Sequence, residues 1–224
     1  MSVFVKKVVG VSVVVAALGV AIALYVAEWA TSFPETVAAS PTPVVGGSHL
    51  TLETVGTIGH ALSPEHPDWV SYLVRTNGRW IRSTVYKVPA YSIVHVTLYE
   101  FDSPTGLRNS FLSQVQGTIG NAMVVNGKTV NAIAPEEAAH TFAVPELGVF
   151  VPLPGVPETA KHFCEEGPCE PSQSAHNTIT FSFRTGKPGR YRWQCFVPCG
   201  AGYLNGNGGP MQTLGYMAGF LDVV

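Results

Sequence analysis

Charge is scarce in this chain. Asp, Glu, Lys and Arg make up 12% of its 224 residues, against roughly a quarter in soluble domains. The formal net charge is -2, so no basic surface recommends nucleic acid as a partner. No P-loop, dinucleotide-binding glycine motif or GxSxG elbow is present. No nucleophile–base pair for a hydrolase is apparent, no internal repeat occurs, and no histidine follows His176. What the chain does have is 23 Gly and 17 Pro among many Val and Thr, a mixture that favours short strands joined by turns over a helical bundle.

One uncharged run stands out near the start. Val8 to Ala27 (VVGVSVVVAALGVAIALYVA) spans about 30 Å as a helix, the thickness of a bilayer's hydrocarbon core. Lys6 and Lys7 precede it, and Glu28 and Trp29 follow. The positive-inside rule puts the N-terminus in the cytoplasm and the rest outside. The run is long for a signal-peptide core, and no small-x-small cleavage site directly follows it, so a retained single-pass anchor is expected at the cell membrane.

Three parts follow: an anchor over 1–30, a linker over 31–49 rich in Ser, Thr, Pro and Gly, and an extracytoplasmic domain over 50–224. Asp68 to Val74 reads as a strand or a short helix. Trp80–Tyr86 and Tyr91–Phe101 alternate with period two. Thr105–Met123 has Leu107, Phe111, Leu112 and Val115 at helical spacing, which suggests a short inserted helix, and Asn126-Gly127 marks a hairpin. His140–Val151, Thr178–Arg184, Gly189–Cys195 and Tyr216–Val223 read as further strands. Strands at this spacing predict an all-β antiparallel sandwich or Greek-key barrel.

The four cysteines form two close pairs, Cys164/Cys169 and Cys195/Cys199. Outside the cell each pair is a candidate disulfide. For Cys164/Cys169, with Gly-Pro between them, a loop-closing disulfide is the favoured reading. Glu158, Glu165, Glu166 and Glu170 make that region acidic: a solvated loop, or a docking surface for a basic partner. Cys195-Phe196-Val197-Pro198-Cys199 also offers two thiolates just after a strand. Met211 or Met217 offers a thioether downstream, and His140 an imidazole from across the sandwich. Thiolate, imidazole and thioether are the ligand set of copper electron-transfer sites. Trp193, two residues before Cys195, is expected in the core.

The order His, long gap, Cys loop, Met is where a family resemblance appears. His140-Thr-Phe-Ala-Val-Pro-Glu-Leu-Gly-Val149 resembles the strand of cytochrome oxidase subunit II on which a His binds the dinuclear copper A centre. Pro188-Gly189-x-Tyr191-x-x-Gln194-Cys195-x3-Cys199-Gly200-x-Gly202 resembles that family's ligand loop, and Met217-Ala-Gly-Phe-Leu-Asp-Val223 its ending. The resemblance covers the anchor and roughly the last 90 residues. It implies a cupredoxin-like Greek-key sandwich behind a single transmembrane helix, seated on a haem-bearing subunit I, and a donor that is a cytochrome, a cupredoxin or a quinol. The implied copper ligands are His140, Cys195, Cys199, the carbonyl of Val197, and Met217 or Met211.

The departure from the family is specific. Tyr203 stands where the family has its second copper-ligating His, and Leu204–Gly215 is inserted before the ending. Three outcomes stay open: an altered copper site, a metal-free subunit with Cys195 and Cys199 oxidised as in quinol oxidases, or completion by His162, His176 or another chain. A stand-alone membrane-tethered cupredoxin that carries electrons or copper is the alternative to an oxidase subunit.

Overall fold

In a computed structural model, residues 3–31, 34–42, 47–59, 62, 68–106, 108–199, 209–211 and 213–224 are described. Tyr203, its neighbour Gly202 and much of the Leu204–Gly215 insertion lie outside the described residues. The chain divides into two units, Met1–Phe33 and Pro34–Val224.

The first unit is one α-helix, α1 (Val3–Thr31). Its stretch Lys7–Ala27, with mean hydropathy 2.5, is long and apolar enough to cross a membrane. Valine, leucine and alanine lie all round it without a polar stripe, the pattern of a helix whose whole girth meets an apolar surrounding.

The second unit is all-β. In chain order its strands are β1 (Thr36–Ala38), β2 (Ser40–Pro41), β3 (Gly47–Val55), β4 (Ser71–Thr76), β5 (Arg79–Ile81), β6 (Val85–Val88) and β7 (Ile93–Glu100). After these come β8 (Met123–Val125), β9 (Lys128–Val130), β10 (Ala138–Val144), β11 (Val149–Pro154), β12 (Asn177–Arg184), β13 (Gly189–Gln194) and β14 (Ala218–Val223). One sheet runs β1-β6-β14-β13-β10-β11; the other runs β5-β4-β3-β7-β12-β8-β9, with β2 beside β3. The chain passes repeatedly from one sheet to the other, and the inward faces share one core that includes Leu52, Val96, Leu98, Phe142, Trp193 and Leu221. The expected all-β sandwich is present, and the first unit is the expected N-terminal apolar helix.

Several elements differ from the sequence reading. The sheets are mixed rather than antiparallel, because β3 pairs with β7, and β6 with both β1 and β14, in parallel. Those pairs join segments distant in sequence, which periodicity cannot report. Among the described residues of Thr105–Met123 there is no α-helix; they hold two single 3₁₀ turns, Ser110–Ser113 and Ile119–Asn121. Leu112 and Val115 are buried against residues distant in sequence while Phe111 is 59% exposed, so the helical spacing there does not mark one buried face. The His140–Val151 run is two strands, broken where Pro145–Leu147 turns and Gly148 takes φ 68°. Within 31–49, β1, β2 and the start of β3 already belong to the sandwich. Asn126 and Gly127 both have positive φ, 48° and 83°, as the two-residue hairpin turn between β8 and β9 requires. Of Asp68–Val74, Ser71–Val74 lie in the strand β4, and Asp68–Val70 precede it without regular structure.

Gly219 lets the sheet close beside the site. A Cβ there would sit 1.7 Å from the Thr84 carbonyl oxygen. Because the position is bare, that oxygen accepts both the Phe220 amide at 2.9 Å and the Trp193 indole at 3.0 Å.

Candidate metal centre

Three buried side chains from two neighbouring strands meet at one end of the core. His140 lies on β10, all seven of whose residues are buried, and Cys195 directly follows β13, which pairs with β10 at Ala143↔Gln194. Cys199 returns four residues later. The ligand atoms of His140, Cys195 and Cys199 all lie within 4.8 Å of one another. His140 Nδ1 is 3.0 Å from Cys199 Sγ and 3.9 Å from Cys195 Sγ. The two sulfurs are 2.9 Å apart and unbonded.

The loop is fixed from several sides. The Cys195 amide donates to the Met217 carbonyl at 2.9 Å. The Phe196 amide donates to the Thr141 hydroxyl at 2.8 Å, and the Thr141 amide to Cys195 Sγ at 3.4 Å. The Val197 carbonyl faces both sulfurs, 2.9 Å from Cys199 and 3.5 Å from Cys195. Met211 brings its Sδ to 3.4 Å from the Cys199 amide. Met217 is fully buried in the same core cluster, but what is seen of its link to the loop is its backbone. His176 has both ring nitrogens engaged, on the Ser174 carbonyl and the Thr178 hydroxyl. His162 is exposed, and neither joins the group.

Sequence reasoning missed the residues behind the histidine. Asp102 accepts from His140 Nε2 at 2.9 Å, so Nδ1 is the nitrogen turned to the sulfurs. A carboxylate on the far nitrogen is the usual device that fixes the tautomer and orientation of a ligating imidazole. Burial would push Asp102 up, but its hydrogen bond and charge pairing with His140 hold it below the usual carboxylate range. For His140, burial works downward and is outweighed by Glu100, Asp102 and Cys195, which hold it well above its ordinary value. Glu100 is buried on the inward face of β7 and is pushed up to about 8, chiefly by burial. The available signal was its place in the strand: Val94, Val96, Leu98 and Glu100 alternate inward.

The two thiols divide one proton. Burial raises both, but hydrogen bonds from Cys199 and His140 carry Cys195 well below its ordinary value. Cys199 is held well above its own, by burial and by Cys195 beside it. The result is a thiolate, a thiol and an imidazolium in a buried pocket with a carbonyl and a thioether at its edge. Such a soft donor set fits copper, and the Val197 carbonyl falls well short of the oxygen shell that Mg²⁺ or Ca²⁺ needs.

No protein-family model matches the chain, and no curated protein matches it. The sandwich does have likenesses among solved structures. One is the metal-binding domain of the Streptococcus pneumoniae D39 copper(I)-exporting P-type ATPase with Cu(I), at 10% identity and TM-score 0.37, covering 86% of this chain and 99% of that one. Rusticyanin from Thiobacillus ferrooxidans is at 14% identity and TM-score 0.29, covering 88% and 90%. A chain of a heme-copper terminal oxidase dimer is at 14% and 0.30, covering 98% of each chain. At TM-scores this low the site is argued from its own geometry.

The other cysteine pair is bonded, Cys164 to Cys169. The loop it closes covers Glu53, whose Oε1 accepts the Cys169 amide at 3.4 Å. Burial pushes Glu53 up to about 9. Between its model-compound value of 4.5 and about 9, the folded chain keeps a proton that the unfolded chain releases. That contribution to stability is therefore complete below 4.5 and is lost as pH rises through about 9, at about 1.4 kcal/mol per pH unit. Glu53→Gln is expected to flatten the fall of unfolding free energy between about pH 5 and about pH 8, measured by denaturant titration. An unchanged slope would show that Glu53 is ionised when folded.

Proposed function

We propose that this chain is a subunit II-like component of a membrane haem–copper terminal oxidase, and that its sandwich receives electrons at a modified copper site for a haem-bearing subunit I. On this reading α1 crosses the membrane with its N-terminus in the cytoplasm, and the sandwich lies outside. The observation that carries it is the buried cluster of His140, Cys195 and Cys199, reached by the same order of motifs that resembles subunit II. Copper would be held by His140 Nδ1, the two sulfurs, the Val197 carbonyl and a thioether of Met211 or Met217; when bound it supplies one-electron transfer. The chain's own residues keep the donors still: Asp102 orients the imidazole, Thr141 ties down the Cys195 turn, and the buried setting keeps bulk water out. Metal binding would displace both the proton shared by the two sulfurs and the proton on His140 Nδ1.

The test is to purify the full chain from its membrane and measure copper, free thiols, the electron paramagnetic resonance spectrum and co-purifying haem. Expected are stoichiometric copper, two unoxidised thiols at Cys195 and Cys199, and a haem-bearing multi-span partner. The 2.9 Å approach of the sulfurs favours one second reading, a metal-free subunit with this pair oxidised. A disulfide there, and no copper after reduction and reconstitution, would establish it in place of the first. Redox-active copper on a chain that isolates alone would instead mark a tethered carrier.

The donor surface on this reading is the acidic loop, where Glu158, Glu165, Glu166 and Glu170 are all exposed. With a basic cytochrome or cupredoxin as donor, the rate of electron delivery is expected to fall steeply as ionic strength rises. A salt-insensitive rate in stopped-flow measurements would count against this surface.

A further inference from the structure

Two histidines outside the thiol site stand side by side on the outer face of the other sheet. His49 of β3 and His95 of β7 are register partners in a parallel pair. They alternate with the inward-facing Leu50, Val94 and Val96, so both imidazoles leave the sheet on the same side. Both are half-buried and line a cleft of about 450 Å³ together with Thr97, Thr180 and Ser182.

Each ring is anchored at one nitrogen by a hydroxyl. His49 Nε2 lies 3.0 Å from Thr97 Oγ1, and His95 Nδ1 lies 2.8 Å from Ser182 Oγ. Among the described residues, His49 Nδ1 and His95 Nε2 make no hydrogen bond. A hydroxyl on one nitrogen, leaving its partner nitrogen open, is how outer partners orient a metal-binding imidazole. Burial, and then the neighbouring His95, keep His49 below its ordinary value and so favour the neutral ring that a metal needs. Among the described residues no carboxylate lines the cleft, which disfavours calcium and magnesium, whereas paired imidazoles suit late first-row divalent ions.

We propose that His49 and His95 form a second metal site, binding copper(II) ahead of zinc(II) through His49 Nδ1 and His95 Nε2, with water completing the shell. The site needs none of the residues of the thiol centre, and it stands or falls separately from the oxidase reading.

The experiment titrates zinc(II) alone into the full chain in detergent, by calorimetry, beside the His49→Gln and His95→Gln variants. Each variant is expected to take up one zinc ion fewer per chain than the parent. Ser182→Ala, which removes only the outer hydroxyl, is expected to keep the ion and bind it roughly 10-fold more weakly. The copper spectrum of the thiol centre should be unchanged in all three, which separates loss of this site from loss of the other. If a variant fails to fold, the parent still decides the matter. Zinc should protect His49 and His95 from carbethoxylation by diethylpyrocarbonate, read by mass spectrometry. Equal zinc uptake in parent and folded variants, or equal modification with and without zinc, would overturn the proposal and leave the pair as hydroxyl-bonded surface histidines.

Discussion

Cys195→Ser is expected to bring the copper content of the purified chain to background while the sandwich stays folded. The change removes the sulfur that carries the negative charge of the pair and the one that Thr141 and His140 both approach. A hydroxyl neither ionises at neutral pH nor offers a soft donor, and the remaining thiol of Cys199 is held protonated by burial. The fold has less reason to fail, since the loop is also tied by backbone bonds from Cys195 to Met217 and from Phe196 to Thr141. Val197→Ala is the matched control: the substitution keeps the carbonyl that faces the sulfurs, so copper should be retained. Metal analysis with circular dichroism of the same samples checks both. Copper at parental stoichiometry in Cys195→Ser would sink the donor set assigned here.

Trp193→Ala is expected to cost about 3–5 kcal/mol of stability and to lower the melting temperature by about 6–20 °C for a domain of this size. The indole is fully buried. It stacks on Tyr86 and Phe142 and meets the edge of Tyr72, with ring centroids at 5.5, 5.4 and 4.8 Å. It thereby joins strands of both sheets through one side chain. Truncation leaves a cavity that β-sheet neighbours cannot collapse to fill, and it removes a donor from the Thr84 carbonyl. Trp193→Phe keeps the stacking and loses the hydrogen bond, so its loss should be well under half as large. Thermal unfolding followed in the near ultraviolet distinguishes the two. A melting temperature within about 2 °C of the parent for Trp193→Ala would mean that the rings carry little of the stability.

The donors of the candidate site were legible because each is named by its own local motif. His140 heads a strand pattern, and Cys195 and Cys199 sit in a turn after β13. Their meeting required only that two neighbouring strands pair. Asp102 was not legible. It closes a strand as an ordinary turn residue, 38 positions before the histidine it orients, and nothing local marks that partnership. Glu100 was half-legible: a carboxylate on the apolar side of an alternating strand is a visible anomaly, though its neighbours are not. Parallel pairing escaped the sequence for the same reason as Asp102, because register between β3 and β7 is written in no short segment. The break at Pro145 and Gly148 was written locally, in two residues that end strands, and an apolar run on both sides concealed it.

The bond from the Cys195 amide to the Met217 carbonyl bears on timing. His140 and Cys199 lie 59 positions apart, and the loop between them is held in place by the segment leading into β14, the last strand to join its sheet in chain order. Contacts this remote in sequence form late, after the entropy of closing long loops has been overcome. A partly folded chain therefore has Cys195 and Cys199 as two ordinary thiols and no pocket. On the proposed copper reading, a metal delivered before the final strand has docked would meet a flexible peptide rather than a site. Loading would follow folding, and the pair would have to stay reduced until then.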